Sequence, residues 1–250
     1  MKDAATRFTT QALVIKEMQI GESDRLVTLF TQDYGIIRAF VTGAKKINSK
    51  KASATSLLTY SSFSIIKRKD TYKIYEVQPI KVFFNVSSDL ERLSLAQYFC
   101  ELCIKLIPEG TVNPELLRLI LNSLHFLAEG KKNPIIIKAI TELRAVSLLG
   151  YAPDLIACCE CGKFEDNPMF FDIKSGIIYC NNCNNENNKP ISPTVLSSMR
   201  HIVFSEFKSI YSFEIPEKSA NELSDITENY LSVQTDHRFS TLDFFNSIKE

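Results

Sequence analysis

Four cysteines stand at the spacing Cys158-x2-Cys161-x18-Cys180-x2-Cys183. Two close pairs at this separation are what a tetrahedral zinc needs. Each C-x2-C turn supplies two thiolates at ~2.3 Å from the ion, with backbone amides turned toward the sulfurs. Gly162 follows the first pair and Asn184 the second, and both residue types accept the left-handed backbone that such turns favour. Four thiolates close the coordination shell, so the expected metal is one structural Zn²⁺ per chain, without the open position of a catalytic site. Cys159 offers a rival C-x-C register that fits a ribbon knuckle less well. Cys100 and Cys103 form a further C-x2-C on an apolar stretch with no second pair nearby, and read as core thiols.

Cations interleaved with aromatic rings form a second candidate. Lys45, Lys46, Lys50 and Lys51 crowd one segment, and Lys67, Arg68 and Lys69 cluster at a later turn. Arg25 joins this set, although Glu22 and Asp24 beside it also offer a local ion pair. Such cations can follow a phosphate backbone while rings stack on bases. Tyr34 and Tyr72 flank turns and are the stacking candidates, whereas Phe40 and Phe63 are expected in a core.

Catalytic patterns are missing. His125, His201 and His237 stand in no H-E-x-x-H or H-x-E spacing, and no P-loop, G-x-G-x-x-G or G-x-S-x-G occurs. The expectation is a protein that is not an enzyme. Two rival classes stay on the table: a zinc-dependent nucleic-acid-processing enzyme, and a scaffold that binds partners but no DNA.

The elements that must position these groups follow from pattern. Gln11–Glu17, Arg25–Thr31, Gly35–Val41, Tyr60–Lys67 and Thr71–Val77 are short runs rich in β-branched and aromatic residues, separated by turn signals. Five strands in so short a span predict a small closed barrel. The connection from Thr42 to Leu58 is long and rich in Ser, Ala and Lys, as functional loops often are. Past Val82 the period turns helical. Helices are predicted over Asp89–Ile107, from Asn113-Pro114 and from Asn133-Pro134, where an N-cap residue precedes a Pro at the first helical position and Gly130 and Gly150 mark the ends, and again from Ser192-Pro193 and from Pro216-Glu217 to about Val233. Met169–Phe171 and Gly176–Tyr179 read as a hairpin between the cysteine pairs, and the last fifteen or so residues are ambiguous.

Charge divides at the same place as periodicity. The 250 residues carry 29 Lys+Arg and 29 Asp+Glu, but residues 1–82 hold 14 and 7, a net +7, and residues 83–250 hold 15 and 22, a net −7. A basic half of this kind points to a polyanion such as nucleic acid. No apolar run reaches the ~18 residues of a membrane span, and the opening MKDAATRFTTQALVIKE has no signal-peptide pattern. The expected location is therefore the cytoplasm, where thiols stay reduced.

Two blocks of sequence carry a resemblance. The first is Ala12-Leu13-Val14-Ile15, Gly21-Glu22-Ser23-Asp24-Arg25-Leu26-Val27-Thr28-Leu29-Phe30-Thr31, Tyr34-Gly35 and Gly43-Ala44-Lys45-Lys46. The second is Leu143-Arg144, Leu148-Leu149-Gly150-Tyr151-Ala152-Pro153-Asp154-Leu155 and Cys158-x2-Cys161-Gly162. In order and together they resemble the bacterial recombination-mediator family RecO. The resemblance implies an α+β chain: an OB-fold barrel at residues 1–82, then a helical domain at 83–250 with an inserted four-cysteine, zinc-ribbon-like module at about 156–186. It implies a protein of DNA repair and recombination that binds single- and double-stranded DNA and anneals complementary strands without ATP. It would also help load the recombinase RecA onto strands coated with single-strand-binding protein. Implied partners are RecR and the acidic, apolar carboxyl-terminal tail of the single-strand-binding protein, with RecA served indirectly and the protein associated with the nucleoid. Arg144 is the candidate cation for that tail's carboxylate, a core-facing tether or an ion pair being the alternatives. The context Asn184-Asn185 after the second cysteine pair departs from the family's Gly-rich or basic pattern, and the segment from Asp236 onward matches weakly.

Overall fold

The computed structural model describes residues 5–44, 50–184 and 188–248. The chain packs as two compact units, the first formed by residues 1–129 with 239–250 and the second by residues 130–238.

In the first unit, five strands close into a barrel in the order β1-β2-β3-β5-β4. They are β1 (Thr6–Ile20), β2 (Asp24–Thr31), β3 (Gly35–Val41), β4 (Thr59–Arg68) and β5 (Thr71–Val82), with a short helix α1 (Lys50–Ala54) in the long connection. Closure rests on β1. Its first half, Thr6–Leu13, pairs with β4 and its second half, Ala12–Ile20, pairs with β2, so one strand serves both edges. The parallel pairing Ala39↔Tyr72 and Phe40↔Lys73 shuts the remaining seam and leaves no free edge. This five-stranded closed order is that of an OB-fold. Val14, Val27, Leu29, Phe63, Ile65 and Ile74 fill the interior. Truncating a ring as buried as Phe63 costs ~3–5 kcal/mol in such cores. Gly35 is required by close approach as well as by its φ of 65°, since a Cβ there would lie 2.4 Å from the Thr111 carbonyl oxygen.

Three helices complete this unit: α2 (Leu90–Leu106), α3 (Pro114–Glu129) and, further along the chain, α7 (Ser240–Ser247). Asp89 caps α2 by accepting from the Arg92 N–H at 2.9 Å, and Asn113 caps α3 through the Leu116 N–H at 3.0 Å. The ambiguous carboxyl-terminal stretch folds as α7. Phe239, Leu242 and Phe245 are buried there, and Glu101 of α2 accepts from the N–H and hydroxyl groups of Ser240 and Thr241. Compactness thus divides the chain elsewhere than charge and periodicity do, because α2 packs against β1 and α7.

The second unit contains α4 (Pro134–Leu148), α5 (Pro193–Phe204) and α6 (Glu217–Thr235), with a three-stranded sheet of order β7-β6-β8. The expected hairpin is β6 (Met169–Asp172) with β7 (Ile177–Cys180), and β8 (Lys189–Ile191) adds a third strand that the sequence did not announce. Asn133 caps α4 and Ser192 caps α5, each just before a Pro at the first turn. Between α4 and α6 lies a buried ion cluster: Lys138 Nζ is 3.0 Å from Glu142 and 2.8 Å from Glu228, and Thr227 donates to Glu142. The hairpin is seated on α6, where Gln234 donates to the carbonyls of Ile173 and Lys174 and Gly176 lies close to the Tyr230 hydroxyl. Among the described residues, no helix is long and apolar enough to cross a membrane.

Candidate metal centre and nucleic-acid interface

The four expected cysteines come together. Cys158, Cys161, Cys180 and Cys183 place their sulfurs within 4.8 Å of one another. Cys161 Sγ and Cys180 Sγ are 3.6 Å apart, against about 3.8 Å for the edge of a tetrahedron with ~2.3 Å metal–sulfur bonds. The donor set therefore fits a tetrahedral thiophilic ion. Local backbone explains the geometry: Gly162 N–H returns to the Cys158 carbonyl at 2.9 Å, and Asn184 N–H returns to Cys180 at 3.0 Å. Burial raises the Cys158 thiol, but hydrogen bonds from the backbone of Cys161, Cys180 and Glu160 outweigh it and bring the thiol down to about 6. Cys159 lies outside the cluster, its N–H bonded to Ile178 of β7. Cys100 and Cys103 are buried in α2, where burial pushes their thiols up.

On the barrel, a cleft of about 510 Å³ is lined by Lys51, Arg68 and Lys73 together with Tyr75, Ile66 and Thr71. Three elements meet there, with α1 carrying Lys51 and the β4–β5 hairpin carrying the rest. Lys67 and Lys69 are exposed on the same hairpin, where Lys69 takes the left-handed backbone of the tight turn with φ 51°. Lys45 and Lys46 fall outside the described residues, and Lys50 begins α1.

Other candidates are spent on structure. Arg25 is only 14% exposed at its side chain. It pairs with Glu17 at 2.8 Å and donates to the carbonyls of Ala52 at 3.2 Å and Thr55 at 3.0 Å. These carbonyls stand at the end of α1, that of Ala52 also accepting from the Ser56 hydroxyl at 2.8 Å, so Arg25 anchors the segment that presents Lys51. Arg144 acts alike in the second unit: it donates to the Ile202 and Val203 carbonyls at the end of α5 and lies over Phe207, the tether among its alternatives.

The aromatic expectations change places. Phe63 is core, but Phe40 is 39% exposed and faces outward. Tyr72 turns inward against the barrel core, and Phe8 packs between it and Tyr34, with centroids at 6.2 and 4.2 Å. Tyr34 is 40% exposed, in line with its expected outer position, and meets Phe8 at a tilt of 45°. A signal for this existed in the strands. Arg38 shares its side of β3 with Phe40, and Lys73 shares its side of β5 with Tyr75, so a charge two residues away marks the outward face.

Comparison with known proteins covers nearly the whole chain. The model for the amino-terminal part of recombination protein O matches residues 1–83, and the model for its carboxyl-terminal part matches residues 87–243. DNA repair protein RecO of Acetivibrio thermocellus is 33% identical over 242 residues, 96% of each chain. The protein of the same name from a Thermoanaerobacter species is 28% identical over 96% of this chain and 97% of its own. That of Dehalococcoides mccartyi is 31% identical over 218 residues, 86% of each chain.

Proposed function

Because the chain belongs to the recombination protein O family, whose relatives are named for DNA repair, we propose that it works as a non-enzymatic mediator that binds single- and double-stranded DNA and anneals complementary strands. In this reading residues 1–82 are the nucleic-acid-binding barrel and residues 83–250 the helical part. The protein then helps load RecA onto strands coated with single-strand-binding protein, in company with RecR and through the tail of the single-strand-binding protein. It acts in the cytoplasm, associated with the nucleoid.

The observation that carries this reading is the cleft where Lys51, Arg68 and Lys73 meet on a closed five-stranded barrel. Cations held at fixed spacing neutralise phosphates and release condensed counterions, an entropic gain independent of base sequence. Two strands whose charge is screened in this way approach and exchange pairing partners without fuel, in keeping with the lack of a nucleotide-binding loop. Lys67 and Lys69 extend the basic track along the hairpin, and Lys45, Lys46 and Lys50 belong to the same segment as Lys51. Arg25 keeps α1 in register with the cleft by gripping its carbonyl end.

Cys158, Cys161, Cys180 and Cys183 would hold one structural Zn²⁺, which when bound supplies a cross-link between the two knuckles. The first knuckle is tied to β7 through the Cys159 N–H, and the β6–β7 hairpin is in turn seated on Gln234 of α6. Residues 83–250 are acidic in sum, so a contact there with an acidic tail must rest on a local apolar pocket rather than on bulk attraction.

The test is annealing of complementary oligonucleotides coated with single-strand-binding protein, with and without that protein's terminal tail. Annealing without ATP that weakens when the tail is removed supports the reading. Metal-dependent cleavage of the strands, or no DNA binding at any salt concentration, overturns it.

A further inference from the structure

Strand register lines up Met18, Leu26, Phe40, Lys73, Ile66 and Arg7 side by side across all five strands of the barrel. This row runs over the outside. Met18 is 52% and Phe40 39% exposed, one on either side of the half-buried Leu26, so large apolar side chains share this outer row. Next to the row stands Tyr75, 50% exposed. The β4–β5 register shifts between Ser64 and Ile65, so Tyr75 is the extra residue of a β-bulge, a device that re-aims a side chain. Its ring is preset. The Arg7 guanidinium lies 4.3 Å from the ring centroid and is itself held by Ser64 at 2.9 Å and Glu76 at 3.3 Å. Lys73 is the cross-strand neighbour of Phe40 and lies two residues before Tyr75, so a cation sits between two exposed rings.

Resting on the nucleic-acid reading above, we infer that the β3–β5 seam is a stacking platform for single-stranded nucleic acid, in which unpaired bases lie on Phe40 and Tyr75 and Lys73 between them takes a phosphate. The occupant follows from the chemistry. A neutral apolar protein surface would match the rings but not the cations Lys73, Arg68 and Lys51 alongside them, and an acidic peptide would match the cations but brings no series of flat faces to stack on two rings. A duplex would satisfy the cations but keeps its base faces stacked on one another. Only an unpaired strand offers flat apolar faces and phosphates in alternation. The cleft then serves both forms of DNA through phosphate, and the seam adds affinity for the single strand alone.

The chain contains no tryptophan, so F40W and Y75W each place a single reporter at the seam. Each is titrated with oligothymidylate and with a blunt duplex, binding being followed independently by anisotropy of a labelled strand. The expected result is quenched emission from both variants on binding the single strand, none from F40W on binding the duplex, and none from F84W, whose position is exposed outside the row. The chain carrying F40A and Y75A should lose single-strand affinity by about 5- to 150-fold for each base stack removed, with duplex affinity unchanged. Single-strand binding by anisotropy with unchanged emission at both seam positions overturns the platform and leaves DNA binding itself standing. Absence of binding by anisotropy overturns both. Full single-strand affinity in the F40A/Y75A chain also overturns the platform and assigns the row to a protein contact or a second copy.

Discussion

Replacing Lys51, Arg68 and Lys73 together by Gln removes the three cations that line the barrel cleft. Each phosphate contact on a single strand contributes about 0.7 to the slope of log affinity against log salt, so the triple variant should flatten that slope by about 2. If the two binding curves converge near 1 M salt, the same relation makes the variant about 100-fold weaker at 0.1 M salt. On a duplex the change in slope should be nearer 2.7, because each contact there counts about 0.9. Arg68 and Lys73 are exposed and Lys51 is half-buried at the surface, so none carries the core and the barrel should stay folded. Fluorescence anisotropy of a labelled oligonucleotide between 50 and 200 mM salt reads the slope directly, and circular dichroism checks the fold. A folded variant whose slope equals that of the parent refutes the assignment of the cleft to phosphate, however its absolute affinity changes. A slope that falls by only about 0.7 would mean that one of the three cations contacts phosphate and the other two do not.

Cys158→Ala should lose about one equivalent of zinc by metal analysis, as a single four-thiolate site predicts; retention of the metal would require other ligands. Lys138→Met leaves Glu142, which is wholly buried, without its cation, and chemical denaturation should register a loss of about 3–5 kcal/mol. The chain with K138M and E142L together should recover most of that loss, and a single variant as stable as the parent would contradict the buried-pair account. Acid should loosen the carboxyl-terminal helix through Glu101. Burial raises that carboxyl, but hydrogen bonds from Thr241, Lys105 and Ser240 outweigh it and hold it at about 2. Its folded value lies below the ordinary one, so its contribution is complete above about pH 5 and disappears as the pH falls toward 2. E101Q should flatten the stability profile over that interval, and an unchanged acid limb would show that the carboxylate does not stabilise α7.

What could be read along the chain was whatever depends on near neighbours. The C-x2-C pairs announce their chemistry because a knuckle is built from consecutive residues, and the Asn-Pro and Ser-Pro signals start helices because capping is settled within one turn. The strands of the barrel sit close to their expected bounds for the same reason, with β1 and β5 running longer because pairing extends them past their apolar centres. Phe40 and Tyr72 show where this stops. Aromatic residues fit either face of a strand, and hydrophobicity alone put Phe40 in the core and Tyr72 outside. Closure of the barrel decided the opposite, filling the narrow interior at β3 with Ile37, Ala39 and Val41.

By itself, then, the sequence determined the thiolate set, the order of the five barrel strands and of the longer helices, and the basic character of residues 1–82. All three depend on residue type and short spacing. Tertiary structure alone decided that Arg25 and Arg144 grip helix ends, and that residues 239–250 return to the unit of the barrel. It also decided that Lys73, Phe40 and Tyr75 share one outer surface. Those outcomes depend on contacts between residues far apart in the chain, where the competition for interior space and for unsatisfied carbonyls is resolved only once the elements have packed.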